Sequence, residues 1–190
     1  SFAVVDKIEM GGMTIENVPF QMFTIETGID SIDRYMQHID MIIGVQFMNL
    51  TDELHIDIEN RQLKIPSKPS QMGKDEQINL CGGVQGLYTI LANINGTPLT
   101  VHFDTGAGSS TLLYKYYQRY KAEIEANYPA DTLRQAGAGG VRIEKSYRIP
   151  HVNFTVNNVP YVFSKLHVGT TAVENTPGHA NIGMDYFSNF

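Results

Sequence analysis

Alternating apolar and polar residues dominate the chain and predict a mainly β protein. Phe2-Ala3-Val4-Val5 reads as a strand from the outset. Residues 86–94 and Leu99-Thr100-Val101-His102-Phe103 are apolar stretches on either side of Asn95-Gly96, the dipeptide best suited to the positive φ angles of a tight hairpin. Leu54-His55-Ile56-Asp57-Ile58 alternates, turns at 59–62 and returns as Leu63-Lys64-Ile65, which predicts a second hairpin. One long helix is expected over 111–127. Ser109 or Ser110 would cap it, Leu112, Tyr116, Tyr120 and Ile124 would share a stripe, and Pro129 would end it.

Residues 66–83, with their prolines, glycines and small polar residues, have the composition of a connector. They divide the chain into 1–65 and 84–190. A pattern recurs on both sides. Met13-Thr14-Ile15-Glu16-Asn17-Val18-Pro19-Phe20 matches Phe154-Thr155-Val156-Asn157-Asn158-Val159-Pro160-Tyr161, with Thr, Asn, Val and Pro identical. Further along, Ile43-Gly44-Val45-Gln46-Phe47 matches Ile182-Gly183-Met184-Asp185-Tyr186. Two matches in the same order point to a duplication.

Composition narrows the classes. An apolar content of 42% with 18% charged residues is that of a folded chain, and disorder as the main state is excluded. Fourteen Lys and Arg against twenty Asp and Glu give a net charge of −6 with no basic cluster, which argues against a nucleic-acid partner. No stretch is apolar enough for a membrane-spanning helix. Cys81 is the only cysteine, so there is neither an internal disulfide nor a CxxC zinc site.

Asp104-Thr105-Gly106-Ala107 follows an apolar strand and precedes the small residues Gly108-Ser109-Ser110. Alone, Asp-Thr-Gly is ordinary turn chemistry. Here it belongs to a spaced set: an apolar strand before it, Ala107 after it, and Ile182-Gly183 later in the chain. This set, together with the duplicated halves, resembles the aspartic proteases, and the retropepsin-like and bacterial aspartyl-protease families more closely than pepsin.

The resemblance implies a mainly β fold of duplicated acid-protease barrel lobes, with one long helix inserted after the active loop. Residues 84–190 would be a retropepsin-like lobe. Asp104 would be its catalytic residue, supported by Thr105, Gly106 and Ala107, with Ile182 and Gly183 as the companion strand. Gly137, Ala138, Gly139 and Gly140 would form a flap closing over the substrate. Residues 1–65 would be the second half of a first lobe, running through Ile42-Ile43-Gly44 to the closing hairpin. Asn181 stands where an apolar residue is expected, and Ala107 where pepsin-like loops have a hydroxyl residue.

In this family two neighbouring carboxylates share a proton, because both cannot ionise together. One acts as general acid, and the other activates the water that attacks the peptide carbonyl. The 190 residues hold no second Asp-Thr-Gly. The other aspartate is therefore expected from an upstream segment, a second lobe or a homodimer partner, and the sequence reads as lacking the start of its first lobe. The resemblance implies a peptide or protein substrate, no cofactor and an exported bacterial location, periplasmic or envelope. A noncatalytic peptide-binding module with the same fold is the alternative. A self-sufficient two-fold dimer fits less well, since it has no use for residues 1–65.

Other candidates carry less. The six histidines lack ligand-like spacing; His102 and Asp104 would share one strand face, too few ligands for zinc. Tyr114, Tyr116, Tyr117 and Tyr120 read as helix packing. No Lys-Ser/Thr follows the glycines at 137–140, as a phosphate cradle would require. Ser109 and Ser110 have no His or Asp at a known motif spacing.

Overall fold

The computed structural model describes residues 1–24, 26–48, 50, 51, 53–68, 70, 80–84, 87–137, 140–174, 176 and 178–189. The chain divides into two compact units: residues 1–40 with 135–142, and residues 41–134 with 143–190. The expected connector at 66–83 lies mostly outside the described residues.

In the first unit, β1 (Phe2–Met10) and β2 (Met13–Gln21) form a hairpin in register from Phe2↔Gln21 to Met10↔Met13. Gly11 and Gly12 close it, both at positive φ, a conformation that costs glycine no Cβ clash. The helix α1 (Asp30–Met36) follows. Its Asp33 carboxylate accepts hydrogen bonds from the Thr27 hydroxyl at 2.6 Å and the Thr27 N–H at 2.7 Å, which hold its pKa below the usual carboxylate value.

The second unit opens with a short helix, α2 (Val45–Met48), and the predicted hairpin β3 (His55–Asp57) and β4 (Gln62–Lys64). Its remaining strands are β5 (Leu80–Val84), β6 (Leu87–Ile94), β7 (Thr97–Phe103), β8 (Thr111–Leu112), β9 (Ala130–Gly137), β10 (Gly140–Ile149), β11 (Val152–Val156), β12 (Val159–Phe163), β13 (Leu166–Gly169) and β14 (Ala180–Ile182), with the tip of the β9–β10 pair in the first unit. They form one sheet in the order β12-β11-β6-β7-β14-β8-β13-β10-β9, with β5 also on β6. Two helices, α3 (Tyr114–Asn127) and α4 (Met184–Phe187), complete the unit, so it is mainly β with one longer helix.

The core follows the alternation of the strands. Ile94, Leu99, Val101, Leu112, Val152, Phe154, Leu166, Val168 and Ile182 are almost wholly buried, and Ile124 on α3 joins them. Tyr186 on α4 sits among aromatic rings, edge-on to Phe154 at 5.2 Å and to Tyr161 at 5.3 Å. Asn95 and Gly96 turn the β6–β7 hairpin as predicted, with φ of 49° and 83°.

One expectation is corrected in detail. Thr111 and Leu112 do not begin the helix. They form β8, paired with both β13 and β14, and Leu113 is the N-cap of α3 without a side-chain cap bond. A buried site between two strands outweighs one more turn of helix for Leu112. The first repeat match is placed differently in the two halves. The matched asparagines Asn17 and Asn158 are both at positive φ, 55° and 63°, but Asn17 interrupts the pairing inside β2, whereas Asn157 and Asn158 turn the chain to form the β11–β12 hairpin. In the second match, Gly44 and Gly183 each precede a short helix, and each carbonyl accepts an N–H three residues on at 3.0 Å.

Candidate active site

Asp104 is the first residue beyond β7. Its backbone is fixed by β14, which runs parallel to β7 with Asn181 opposite His102 and Ile182 opposite Phe103. The Asp104 N–H donates to the Ile182 carbonyl at 2.9 Å, and the Asp104 carbonyl accepts the Ala107 N–H at 3.1 Å, closing a turn. Strand pairing and turn together fix the direction of the side chain.

The two carboxylate oxygens are differentiated. Oδ1 accepts the Gly106 N–H at 2.9 Å, and Oδ2 faces the Asn181 Nδ2 at 3.3 Å. A Cβ on Gly106 would lie 3.1 Å from Oδ1, so glycine lets this backbone come close to the carboxylate. Asp104 is half-buried, while Thr105 and Gly106 are exposed.

Gly183 is bound to the loop from behind. A Cβ there would stand 2.6 Å from the Ala107 carbonyl oxygen and 2.9 Å from the Ser109 carbonyl carbon. Beside it the Met184 N–H donates to that same Ala107 oxygen at 2.8 Å, and the Gly183 N–H donates to the Ser110 Oγ at 2.9 Å. Ser110 in turn donates through its hydroxyl and its N–H to the two oxygens of Asp185, at 2.6 and 3.0 Å. Asp104, Gly106, Ala107, Ile182 and Gly183 of the spaced set thus belong to one hydrogen-bonded cluster.

Three of its members carry no motif signal as site residues. In the sequence Ser110 reads as a helix cap, Asn181 as a departure from the expected apolar residue, and Asp185 as part of a repeat. Asn181 had a visible signal, a polar residue in a strand whose neighbours Ala180 and Ile182 are wholly apolar.

Of the flap candidates, Gly137 ends β9 and Gly140 begins β10 at a φ of 94°; Ala138 and Gly139 lie outside the described residues. These glycines fall in the first compact unit and Asp104 in the second. Among the described residues no group of three or more His, Cys, Asp or Glu is placed to hold a metal ion. His102 turns its Nδ1 to the Tyr88 carbonyl at 2.9 Å. No helix among the described residues is long and apolar enough to cross a membrane.

No model of a known protein family matches the chain, and no curated protein matches it in sequence. Solved structures do match. EIAV protease complexed with an inhibitor aligns with a TM-score of 0.38 at 22% identity, covering 57% of this chain and 92% of that protein. A retropepsin-like aspartic protease from Rickettsia conorii aligns with a TM-score of 0.40 at 17% identity, over 58% of this chain and 76% of that protein. Both alignments extend over little more than half of this chain.

Proposed function

We propose that this chain supplies one carboxylate, Asp104, to an aspartic endopeptidase. The observation that carries the reading is the differentiated Asp104 carboxylate, half-buried in a loop tied to β14 and Gly183, with one oxygen on a backbone N–H and the other on a side-chain amide. A group that must trade protons with water at a fixed position needs this kind of support. A second aspartate, from another copy or from a segment outside these 190 residues, brings a like charge close, so that the pair holds one proton. The ionised member takes a proton from water as the oxygen attacks the peptide carbonyl. The protonated member then gives its proton to the leaving nitrogen. The substrate is an extended peptide segment.

The test is cleavage of a mixed peptide library from about pH 3 to about pH 7, a range that spans carboxylate titration. Cleavage by the chain and its loss in Asp104→Asn are the expected results. A specific rate that rises with protein concentration assigns the second aspartate to another copy. Cleavage that persists in a folded Asp104→Asn protein overturns the proposal. So does a lack of cleavage both by the chain at every concentration and by a longer chain that includes any upstream coding sequence.

A further inference from the structure

We propose that Asn181 is a positioning residue for Asp104, serving its carboxyl group in both protonation states by turning the amide about the Cβ–Cγ bond. The inference deepens the reading of Asp104 as a proteolytic carboxylate and rests on it for its kinetic part.

Three observations lead to it. The Asn181 Nδ2 donates to Asp104 Oδ2 at 3.3 Å, and Oδ2 is the oxygen that Gly106 does not hold. The Asn181 Oδ1 is buried and has no partner among the described residues. The strand carrying Asn181 is otherwise apolar and buried, with Ala180 at 0% and Ile182 at 1% exposure. A branched aliphatic residue would suit such a strand, and a buried acceptor without a partner is unfavourable unless some state of the protein uses it.

The amide has such a use. An ionised carboxylate only accepts hydrogen bonds, and the Nδ2 donor satisfies it. A protonated carboxyl is itself a donor at the oxygen that carries the hydrogen. With Oδ1 engaged by Gly106, that hydrogen belongs on Oδ2, where Nδ2 would oppose it and Oδ1 of a turned amide would accept it. The two ends of the amide are nearly the same size, so the turn needs no new space. The backbones do not move, because the Asp104 N–H stays on the Ile182 carbonyl. An aliphatic side chain at 181 could do neither, and an aspartate would add a like charge.

The titratable groups around Asn181 are few. His102 lies opposite it on β7, Asp104 follows on the same strand face, His179 stands two residues before it with its N–H on the Thr100 carbonyl, and Asp185 beyond Gly183 is engaged by Ser110. Response to Asp104 is therefore separable from response to His102.

The experiment follows the side-chain amide signals of Asn181 by nuclear magnetic resonance in the isotope-labelled chain from about pH 3 to about pH 7. They are expected to move with pH, to keep moving in His102→Gln and in His179→Gln, and to be invariant in Asp104→Asn. Signals that are invariant in the unmodified chain, or that still move in Asp104→Asn, overturn the proposal. The kinetic arm compares folded variants. Asn181→Leu should lower kcat about tenfold with KM within about twofold, and Asn181→Gln, which keeps both amide atoms, should recover most of the loss. An unchanged kcat in Asn181→Leu also overturns it. If the chain cleaves no peptide, the enzymatic reading fails by itself and the resonance measurement still decides the relation between Asn181 and Asp104.

Discussion

Ser110 and Asp185 lie 75 positions apart and are joined twice, hydroxyl to Oδ1 at 2.6 Å and N–H to Oδ2 at 3.0 Å. Ser110 is buried, at 5% exposure, and its Oγ also accepts the Gly183 N–H. The pair therefore connects the far end of the Asp104 loop to the first turn of α4. Ser110→Ala removes one charge-assisted bond and leaves the Gly183 N–H without its acceptor, a loss of about 1–3 kcal/mol. Denaturant titration checks the stability. A double-mutant cycle with Asp185→Ala should return a coupling of about 0.5–3 kcal/mol, and additive effects would show that the contact contributes nothing.

Gly183→Ala tests the other fastening of the loop. The added methyl group would meet backbone atoms of residues 107 and 109, which cannot swing aside as a side-chain end can. Overpacking of this kind costs about 1–3 kcal/mol. Relief by displacement of the loop would move Asp104, so peptide cleavage should fall further than stability alone explains. A variant as stable and as active as the parent would mean that the loop is freer than its contacts indicate.

Asn95 joins a turn to a neighbouring strand. It holds a φ of 49° at the β6–β7 hairpin, its N–H donates to the Asn153 carbonyl at 2.9 Å, and its Oδ1 accepts the Asn153 N–H at 2.9 Å. Asn95→Ala removes the side-chain bond and puts a residue less tolerant of positive φ in the turn, so a loss of about 1–2 kcal/mol is expected. Asn95→Gly keeps the backbone freedom and should recover part of it. Equal midpoints for the two variants in thermal melts would remove the backbone part of the argument.

The legible parts of this sequence were those in which local chemistry and final environment agree. Asn95-Gly96 needs positive φ wherever it stands, so the hairpin leading into Asp104 could be read directly. Asp104, Gly106 and Gly183 were legible as a spaced set, and the hydrogen bonds between the loop and α4 explain why those residue types suit those places. The illegible parts depend on partners distant in the chain. Nothing near Ser110 announces Asp185, and a serine before a helical pattern is locally best explained as a cap. Thr111 and Leu112 have helix-compatible neighbours on one side, and only the arrival of β13 and β14 makes them a strand. The repeat at 13–20 and 154–161 shows the same limit, since the matched asparagines share a positive φ yet one interrupts a strand and the other turns a hairpin.

Acid should weaken the fold in two separate stages, beginning with histidine. Burial lowers the pKa of His179, and the nearby cations Arg119 and Lys115 add to this against the opposing Thr100 backbone bond. Burial also lowers that of His167, with Arg148 reinforcing it and Asp131 opposing it. Both folded values lie below the unfolded value of about 6.5, so over that interval the unfolded chain binds more protons than the folded one. Stability is then complete above about pH 6.5 and falls as pH drops through the folded values. The carboxylates act later. Glu53, held by Ser70 and His55, and Asp57, held by Lys64 and Asn60, both have pKa values lowered to about 2, so their contribution is lost only below the usual carboxylate range. Melting temperatures should therefore decline first just below about pH 6.5 and again below about pH 4. Replacing His167 and His179 together by Gln should flatten the first step and leave the second. An unaltered first step in the double variant would assign it to other groups.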